Sequence, residues 1–302
     1  MRRRKNPIRI IVIVICALIF SFSMYKFLTI MMDYKKDSDT YEEIRNNVRE
    51  TRARRTTEAL TEPTDDSDHD PDEPTQAPKQ EPVIPEDILA GIETHEHKKS
   101  LSFLHTTFDY ILVQRYDIDF AYLQNMNSEI KAWIRIDDTR IDYPVAQTKN
   151  NSKYLRVGPD GKAANAGTIF IDYRNAADFS NKNTVLYGHN QQSLHMFHQL
   201  LSYLDQSFLK THPVIDIYLP DGSMKRYLVF ASYVNSELFP YTTSFADDNA
   251  FQEFLNKSQA ASVWDTNVNL TTSDRILTLV TCTKDYNDAE RNVVQAVLIH
   301  EE

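Results

Sequence analysis

The strongest constraint on this chain is an apolar segment close to its first residue. Residues 10–32 contain one charged side chain, Lys26, and are otherwise almost wholly apolar. A helix that crosses a bilayer needs about 20 such residues, and a lysine near its end can extend to the headgroups. We therefore predict a transmembrane anchor over 10–32.

The charges on either side of this segment predict its direction. Residues 1–9 carry five basic side chains and no acidic one, whereas Lys35 and Lys36 are offset by Asp33, Asp37 and Asp39. An excess of Lys and Arg keeps the N-terminus in the cytoplasm. We expect a basic cytoplasmic tail over 1–9, a single pass through the cell membrane and an extracellular remainder. A cleaved signal peptide is the alternative, although the run is long and lacks an A-x-A-like site.

A charged, proline-rich segment follows the apolar one. Residues 61–85 hold six of the twelve prolines and eight acidic residues against one lysine. A segment of this composition cannot bury enough apolar surface to order itself. We predict an extended extracellular tether over 33–85, with a solvated juxtamembrane helix over 33–60 as the alternative. A flexible coil of this length spans roughly 40 Å, so the tether would give the following domain reach.

From residue 86 onward the pattern is that of one globular domain, 86–302. Helices are predicted at 86–113, 118–131, 193–210 and 247–258, the last capped by Asp247 or Asp248. Short β-rich runs separate them, and Asp221-Gly222 indicates a hairpin turn. Seven or eight short strands favour a closed β-barrel, since closure removes exposed sheet edges. The strands are predicted at 132–136, 141–147, 167–172, 184–187, 214–219, 225–234, 275–281 and 292–299.

Composition excludes several functions. The net charge of −10 leaves no basic excess for phosphates, so we expect no nucleic-acid partner. Two cysteines exclude a disulfide scaffold and a multi-cysteine metal site. Neither a dinucleotide-binding nor a P-loop glycine motif occurs. A zinc pair at His195 and His198 is conceivable, but no further ligands have suitable spacing. We therefore predict no metal and no cofactor.

Cys282 is the one thiol in the exported part, because Cys16 lies in the apolar segment. An unpaired cysteine outside the cell is either a small buried hydrophobe or a reactive group. Cys282 ends one β-run and Arg291 opens the next, so a hairpin would bring the two residues together. A permanent cation beside a thiol favours the thiolate and can hold an oxyanion. An arginine at a barrel rim paired with Asp288 or Glu290 is the simpler interpretation of Arg291.

Of the nine histidines, His189 is the best candidate for a base. It follows the run 184–187 and Gly188, where a strand gives way to a loop, and loops at strand ends carry many functional sites. Taken alone it would be an ordinary loop histidine. Next to a cysteine on a neighbouring strand end it would complete a nucleophile–base pair.

These residues resemble the sortases, cysteine transpeptidases of Gram-positive bacteria. The similar stretches are Thr278-Leu279-Val280-Thr281-Cys282, Arg291 nine residues on, and Tyr187-Gly188-His189-Asn190. Further stretches are similar to class B sortases, and the resemblance covers roughly 115–300. They are 133–136, 141–145, 167–175 and 178–180.

The resemblance implies a sortase-type β-barrel with N-terminal helices and a helix before the cysteine strand. It also implies Cys282 as nucleophile, His189 as general acid and base, and Arg291 as the group that steadies the oxyanion. Thr281, Val280 and Asn190 fall on the family's substrate-binding stretches. Class B members often have Ser where this chain has Val280, and the lid and second membrane helix of pilus-building class C are not seen.

The implied partners are exported proteins or pilins that carry a C-terminal sorting motif. The acceptor would be an amine of a cell-wall precursor or a pilin lysine, and the lipid bilayer would hold the N-terminal helix. Two other functions stay open: a cysteine hydrolase that uses water as acceptor, and a non-enzymatic anchored barrel that binds a wall polymer or partner. Amine dependence of the products and labelling of the native thiol separate them.

Overall fold

The computed structural model describes residues 7–61, 102–103, 106–107, 116–191, 195–236, 238–282 and 290–301. Its first element is the long helix α1, Pro7–Thr61. The large apolar side chains from Val12 to Met32 are exposed. Within the described ranges, one helix is long and apolar enough to cross a membrane; its candidate span, Val12–Val48, has a window of mean hydropathy 2.0 that is 0% buried. A signal sequence would pass the same test, so the anchor at 10–32 stays a prediction.

The second half of α1 packs against the rest of the protein. Tyr41, Ile44 and Val48 recur at helical spacing and are 2%, 2% and 4% exposed, so they form one buried stripe. The Tyr41 ring meets Tyr143 edge to face at a centroid distance of 5.3 Å. The expectation of an extended tether is therefore wrong for residues 33–61, which continue the helix. These three apolar side chains are surrounded by charged residues in the sequence, which is why the sequence does not predict their burial.

Eight strands form a closed barrel, as the sequence predicts. The strands are β3 Ile130–Arg135, β4 Asp142–Ala146, β5 Ile169–Ile171, β6 Asn183–Tyr187, β7 Val214–Tyr218, β8 Met224–Asn235, β9 Ile276–Cys282 and β10 Arg291–Glu301. Their order in the barrel is β10-β8-β7-β3-β4-β5-β6-β9, with β9 paired to β10 to close the ring. The β4–β5 and β6–β9 pairs are parallel and the others antiparallel.

Alternation along β9 divides its apolar side chains between two of the core clusters. On β9, Leu277 and Leu279 belong to the cluster that fills the barrel interior. Ile276 belongs to a second cluster outside the barrel, together with Phe251 and Leu255 of the helix before β9. Because side chains alternate between the two faces of a strand, both faces of β9 are covered, one by the barrel interior and one by an outer layer.

Short helices connect the strands. They are α2 Phe120–Met126, η1 Lys153–Leu155, η2 His198–Leu204, α3 Gln206–Thr211, η3 Phe239–Tyr241 and α4 Asp248–Ala261, where η marks a 3-10 helix. Asp247 caps α4, as predicted, by accepting a hydrogen bond from the Ala250 amide at 2.8 Å. The Asp221-Gly222 hairpin is also confirmed, and Gly222 adopts the left-handed conformation with a φ of 86° that such a turn needs.

Two helix predictions need correction. The single helix predicted at 193–210 is replaced by η2 and α3, which Asp205 separates by capping α3. Of the helices predicted at 86–113, most of the segment lies outside the described residues. The part that is described forms a small antiparallel ladder instead, β1 Ser102–Phe103 with β2 Thr106–Thr107, in keeping with the strand preference of Thr and Phe.

Candidate active site

The three residues predicted to carry the chemistry lie at the ends of adjacent strands. Cys282 is the cross-strand partner of Arg291. Tyr187 pairs in parallel with Val280, and the Gly188 amide extends this pairing by donating to the Val280 carbonyl at 3.1 Å. Continuing the register by two residues brings His189 level with Cys282. The backbone therefore aligns β6, β9 and β10 so that the three positions share one end of the barrel.

Position 282 falls on the outward face of β9. Thr278 and Val280 share this face, and the Cys282 side chain itself lies outside the described part of the chain. Thr281 falls on the inward face and is 2% exposed; among the described residues its hydroxyl has no hydrogen-bond partner. Thr281 and position 282 therefore lie on opposite faces of β9. The substrate-binding roles of Thr281 and Val280 stay predictions.

The His189 ring contacts the loop that carries η1. Its Nε2 lies 2.8 Å from the Leu155 carbonyl oxygen. Burial lowers the pKa of His189 below its usual value, and the positive charge of Arg156 acts in the same direction, against the hydrogen bond to Leu155. When Nε2 carries the proton and donates to Leu155, Nδ1 is left as an acceptor. The ring is therefore neutral near pH 7 and suited to accept a proton.

Close packing fixes the backbone of His189. Its carbonyl accepts a hydrogen bond from the Phe197 amide at 3.0 Å. A Cβ atom at Gly188 would lie 2.6 Å from Cδ2 of the Phe197 ring, closer than real contacts allow. Gly188 is thus required for a close approach between the strand end and the returning loop.

The other predicted residues have partners of their own. Arg291 is half-buried between Cys282 and Asn235, its neighbours on β9 and β8, and its Nη1 donates to the Glu290 carbonyl at 2.9 Å. Asn190 Oδ1 lies 2.6 Å from His198 Nδ1. The structure therefore directs the Asn190 amide toward η2, and its role in substrate binding stays a prediction.

Asp172 organises the segment beside β6 and is 0% exposed. Its carboxylate accepts bonds from Arg174 Nε and Nη2 at 2.9 and 2.8 Å, from the Tyr187 hydroxyl at 2.9 Å and from Asn151 Nδ2 at 3.0 Å. Burial alone would raise the pKa of Asp172, but these hydrogen bonds outweigh burial and hold the pKa below its usual value. We call Asp172 and these three partners the Asp172 cluster.

The side chains of Asn183 and Arg174 hold η3 on the outer face of the barrel. Asn183 Nδ2 donates to the carbonyls of Pro240 and Thr242 at 3.1 and 2.8 Å, and Arg174 Nη2 donates to the carbonyl of Tyr241 at 2.9 Å. Three successive carbonyls of η3 and its cap are thus bound by two side chains. Since a side chain that bonds backbone in this way fixes its position, η3 is held against β6.

The side chain of Asn183 is itself supported from below. Its Oδ1 accepts from Thr278 at 2.7 Å, Thr278 accepts from Gln295 at 3.2 Å, and Gln295 accepts from Tyr233 at 2.9 Å. These four residues, which we call the outer polar layer, are at most 1% exposed. A buried chain that is hydrogen-bonded throughout is rigid.

A cleft of about 690 Å³ lies between η3 and the end of β6. Arg174, Tyr187 and Tyr241 line it, and the rings of Tyr187 and Tyr241 stack at 6.1 Å. The exposed side chain of Leu238 stands at its rim. Tyr187 is the last residue of β6 and lies two positions before His189, so the cleft borders the end of β6.

Sequence reasoning missed the Asp172 cluster, Asn183 and η3 as parts of this site. The signal for Asp172 was the polar run 172–175 directly after a buried strand, a place where functional side chains gather. Asn183 gives no such signal, since its role depends on a non-local contact with η3.

The two histidines of the conceivable zinc pair face different partners. His195 Nε2 lies 3.4 Å from Ser38 Oγ, and its Nδ1 lies 3.4 Å from the Tyr143 hydroxyl. His198 faces Asn190 instead. Among the described residues no group of three or more His, Cys, Asp or Glu side chains could hold a metal ion.

Comparison with known proteins agrees with this geometry. Residues 134–299 match the sortase domain family. Sortase B of Listeria monocytogenes is 40% identical over 182 residues, which cover 59% of this chain and 72% of that protein. Sortase B of Staphylococcus aureus is 36% identical over 178 residues, 58% of this chain and 72% of that protein. The Staphylococcus aureus sortase B–substrate complex superposes with a TM-score of 0.56 at 36% identity, covering 60% of this chain and 84% of that one.

A closed eight-stranded barrel with a cysteine strand preceded by a helix defines a cysteine transpeptidase of the sortase type. The chain belongs to the sortase family, and within it to class B. The resemblance that the sequence motifs indicate is thereby confirmed.

Proposed function

We propose that this protein is a membrane-anchored sortase that joins exported proteins to an amine. α1 holds it in the bilayer with the N-terminus in the cytoplasm and the barrel outside the cell. The exposed apolar surface of α1 and the basic tail before it support this topology. The donor is an exported protein with a C-terminal sorting motif. The Staphylococcus aureus relative was solved in a complex with its substrate, which supports a peptide donor here.

In the first half-reaction the neutral His189 ring takes the proton of the Cys282 thiol, and the resulting thiolate attacks a backbone carbonyl carbon of the sorting motif. The new S–C bond forms as the C–N bond of the peptide breaks. His189, as imidazolium, gives its proton to the nitrogen that leaves. Arg291 stabilises the negative oxygen that develops on the carbonyl. The product is a thioester between Cys282 and the donor.

In the second half-reaction an amine of a cell-wall precursor, or a pilin lysine, attacks the thioester carbon. His189 takes the proton from that amine, the new C–N bond forms, and the thiolate of Cys282 leaves. The protons balance over the cycle, because His189 recovers the one that it gave away. The steps need sulfur, imidazole and guanidinium and no metal or cofactor.

One observation supports this proposal: the register that pairs Cys282 with Arg291 and that, continued two residues past the Tyr187–Val280 pair, brings His189 level with Cys282. The three residues come from stretches of sequence that are far apart or separated by a loop. An unrelated barrel would have no reason to bring these three residue types to one end.

The test compares the two cysteines of the full chain. Cys282→Ala should abolish cleavage of a fluorogenic sorting peptide, whereas Cys16→Ala, in the exposed apolar half of α1, should leave cleavage unchanged. Turnover that persists in Cys282→Ala would refute the assignment.

The acceptor is tested by product analysis. With the wild-type protein, mass spectrometry should find the amide of an added amine such as triglycine, and the yield of this amide should rise with amine concentration. Hydrolysed peptide alone at every amine concentration would favour the cysteine hydrolase instead. Native Cys282 that resists iodoacetamide would favour the non-enzymatic barrel.

A further inference from the structure

The course of α1 relates the barrel to the membrane. The apolar side chains of α1 run to Met32, and its first buried contact is that of Asp37, whose carboxylate accepts a hydrogen bond from the Ala166 amide at 2.8 Å. Five residues of helix rise about 7.5 Å. The headgroup region of a bilayer is about 5–8 Å thick on each side. The first contact between α1 and the barrel therefore lies at the outer edge of the headgroups.

The contacts of α1 further along give the direction of the barrel. Asp37 and Tyr41 bond the backbone of Ala166 and Gly167. Ile44 and Val48 lie farther along α1 from the apolar segment. They pack in one cluster with Tyr218 and Met224. The helix thus runs along the barrel from one end to the other over about 16 Å between Asp37 and Val48.

The lower contacts belong to the end of the barrel that carries the site. Gly167 follows η1, and the Leu155 carbonyl of η1 contacts the His189 ring. His195, near Ser38, lies two residues before Phe197, whose amide bonds His189. The upper contacts belong to the opposite end, where the β7–β8 hairpin turns at residues 219–223.

The two ends of the barrel also differ in charge: the end that carries the site is basic, and the opposite end is acidic. The loop over residues 148–167, which we call the η1 loop, carries Lys149, Lys153, Arg156 and Lys162. Lys153 pairs with Glu129 and Lys162 with Asp160, so the excess positive charge of the loop comes from Lys149 and Arg156. The pocket at the opposite end is lined by three aspartates and no basic residue: Asp117, Asp119 and Asp221. In a chain of net charge −10, the η1 loop brings a basic excess to the end nearer the membrane, where it would attract anionic headgroups.

We propose that the barrel stands on the bilayer with its catalytic end down and the η1 loop in contact with anionic lipid headgroups. This inference rests on the proposal that α1 spans the membrane. It reverses the role predicted for a flexible tether, because α1 is continuous between the anchor and the barrel. The cleft then opens close to the membrane surface, and both substrates must be presented there.

The test measures depth at two positions of the full chain in nanodiscs of phosphatidylcholine and phosphatidylglycerol. Lys162→Cys, in the η1 loop, and Asp221→Cys, in the opposite hairpin, are each labelled with a small fluorophore in a Cys16→Ala, Cys282→Ala background. Lipids with a nitroxide on the headgroup then quench the label. We expect severalfold stronger quenching at position 162 than at 221, and weaker quenching at 162 in discs of phosphatidylcholine alone.

Two results would overturn the proposal. One is equal quenching at both positions or stronger quenching at 221. The other is quenching at 162 that emerges only after the eight acidic residues of 61–85 are neutralised, since the η1 loop would then be covered by that segment. Alkaline extraction of the same discs tests the anchor separately: if α1 stays in the lipid while the quenching order is reversed, the orientation fails and the anchor stands. The readout needs no catalysis, so it is independent of the proposed reaction.

A second experiment tests the same orientation by measuring activity instead of fluorescence quenching. Seven residues of helix-forming sequence inserted after Lys36 add about two turns and raise the barrel by about 10 Å while keeping the docked face in register. We expect transfer to an amine on a membrane-embedded lipid to fall severalfold and cleavage of a soluble sorting peptide to be unchanged. Equal transfer by both proteins would contradict the membrane-facing cleft.

Discussion

The two faces of β9 are equally buried but are built from different chemistry. The inward face presents Leu277 and Leu279 to an apolar interior. The outward face presents Thr278 to the outer polar layer, which runs on through Asn183 to the carbonyls around η3. Apolar packing is non-directional and tolerates small shifts, whereas hydrogen bonds fix angles as well as distances. The interior therefore stabilises the barrel, and the outer polar layer sets the shape of the cleft beside it.

The largest effect should come from the inward face. Leu277→Ala removes a side chain that is 0% exposed from the barrel interior and should lower the free energy of unfolding by about 2–5 kcal/mol. Because position 277 is at the opposite end of β9 from Cys282, the KM for a sorting peptide should stay near the wild-type value. Denaturant unfolding and steady-state kinetics check both. A KM that rises as much as stability falls would show that the two faces are not separable.

Its neighbour Thr278 offers the matched change on the outward face. Thr278→Val keeps the shape but leaves Asn183 Oδ1 without its donor and Gln295 without its acceptor, which should cost about 1–3 kcal/mol of stability. We expect the KM for the donor peptide to rise severalfold, since η3 loses its fixed support. An unchanged KM together with a lower stability would mean that η3 is positioned by other contacts.

Acid should weaken the Asp172 cluster. The pKa of Asp172 in the folded protein lies below its ordinary value. Ionised Asp172 therefore stabilises the fold fully above about pH 4, the usual pKa of an aspartate. This stabilisation is lost as pH falls through the folded-state pKa. Asp172→Asn should reduce stability at neutral pH and flatten the acid decline. Asp205→Asn, which removes an exposed carboxyl bonded to Ser207, is the control. Urea unfolding as a function of pH distinguishes them, and identical pH slopes in the two variants would contradict the prediction.

The smallest effect concerns His189. Burial lowers the pKa of His189 most, and the positive charge of Arg156 lowers it further, so Arg156→Gln should raise that pKa. The imidazolium would then persist to slightly higher pH. NMR titration of the His189 ring measures the shift directly, with Lys162→Gln as a control that removes a more distant charge of the same loop. A shift of equal size in both variants would point to the net charge of the η1 loop rather than to Arg156.

Local pattern predicted most of the barrel but little of how the cleft is held. The strands were found within one to two residues at most ends, because alternation and β-branched residues report burial directly. The strand ends also gave Cys282, His189 and Arg291 their register. Asn183 and Arg174 bond η3 across sequence separations of 57 and 67 residues. No local sequence pattern predicts a contact of that kind. The docked half of α1 was missed because charges surround its three buried side chains.

Gly188 carries a further consequence for how this protein can change. The position admits no side chain, since even a methyl group would lie too close to the ring of Phe197, the residue whose backbone amide bonds the His189 carbonyl. Directed evolution aimed at a new sorting motif can vary the walls of the cleft freely at exposed positions such as Leu238. Position 188 has no such freedom, because every substitution there must be accompanied by a change in the loop that follows His189. A productive substitution there would require a smaller residue at 197 in the same step.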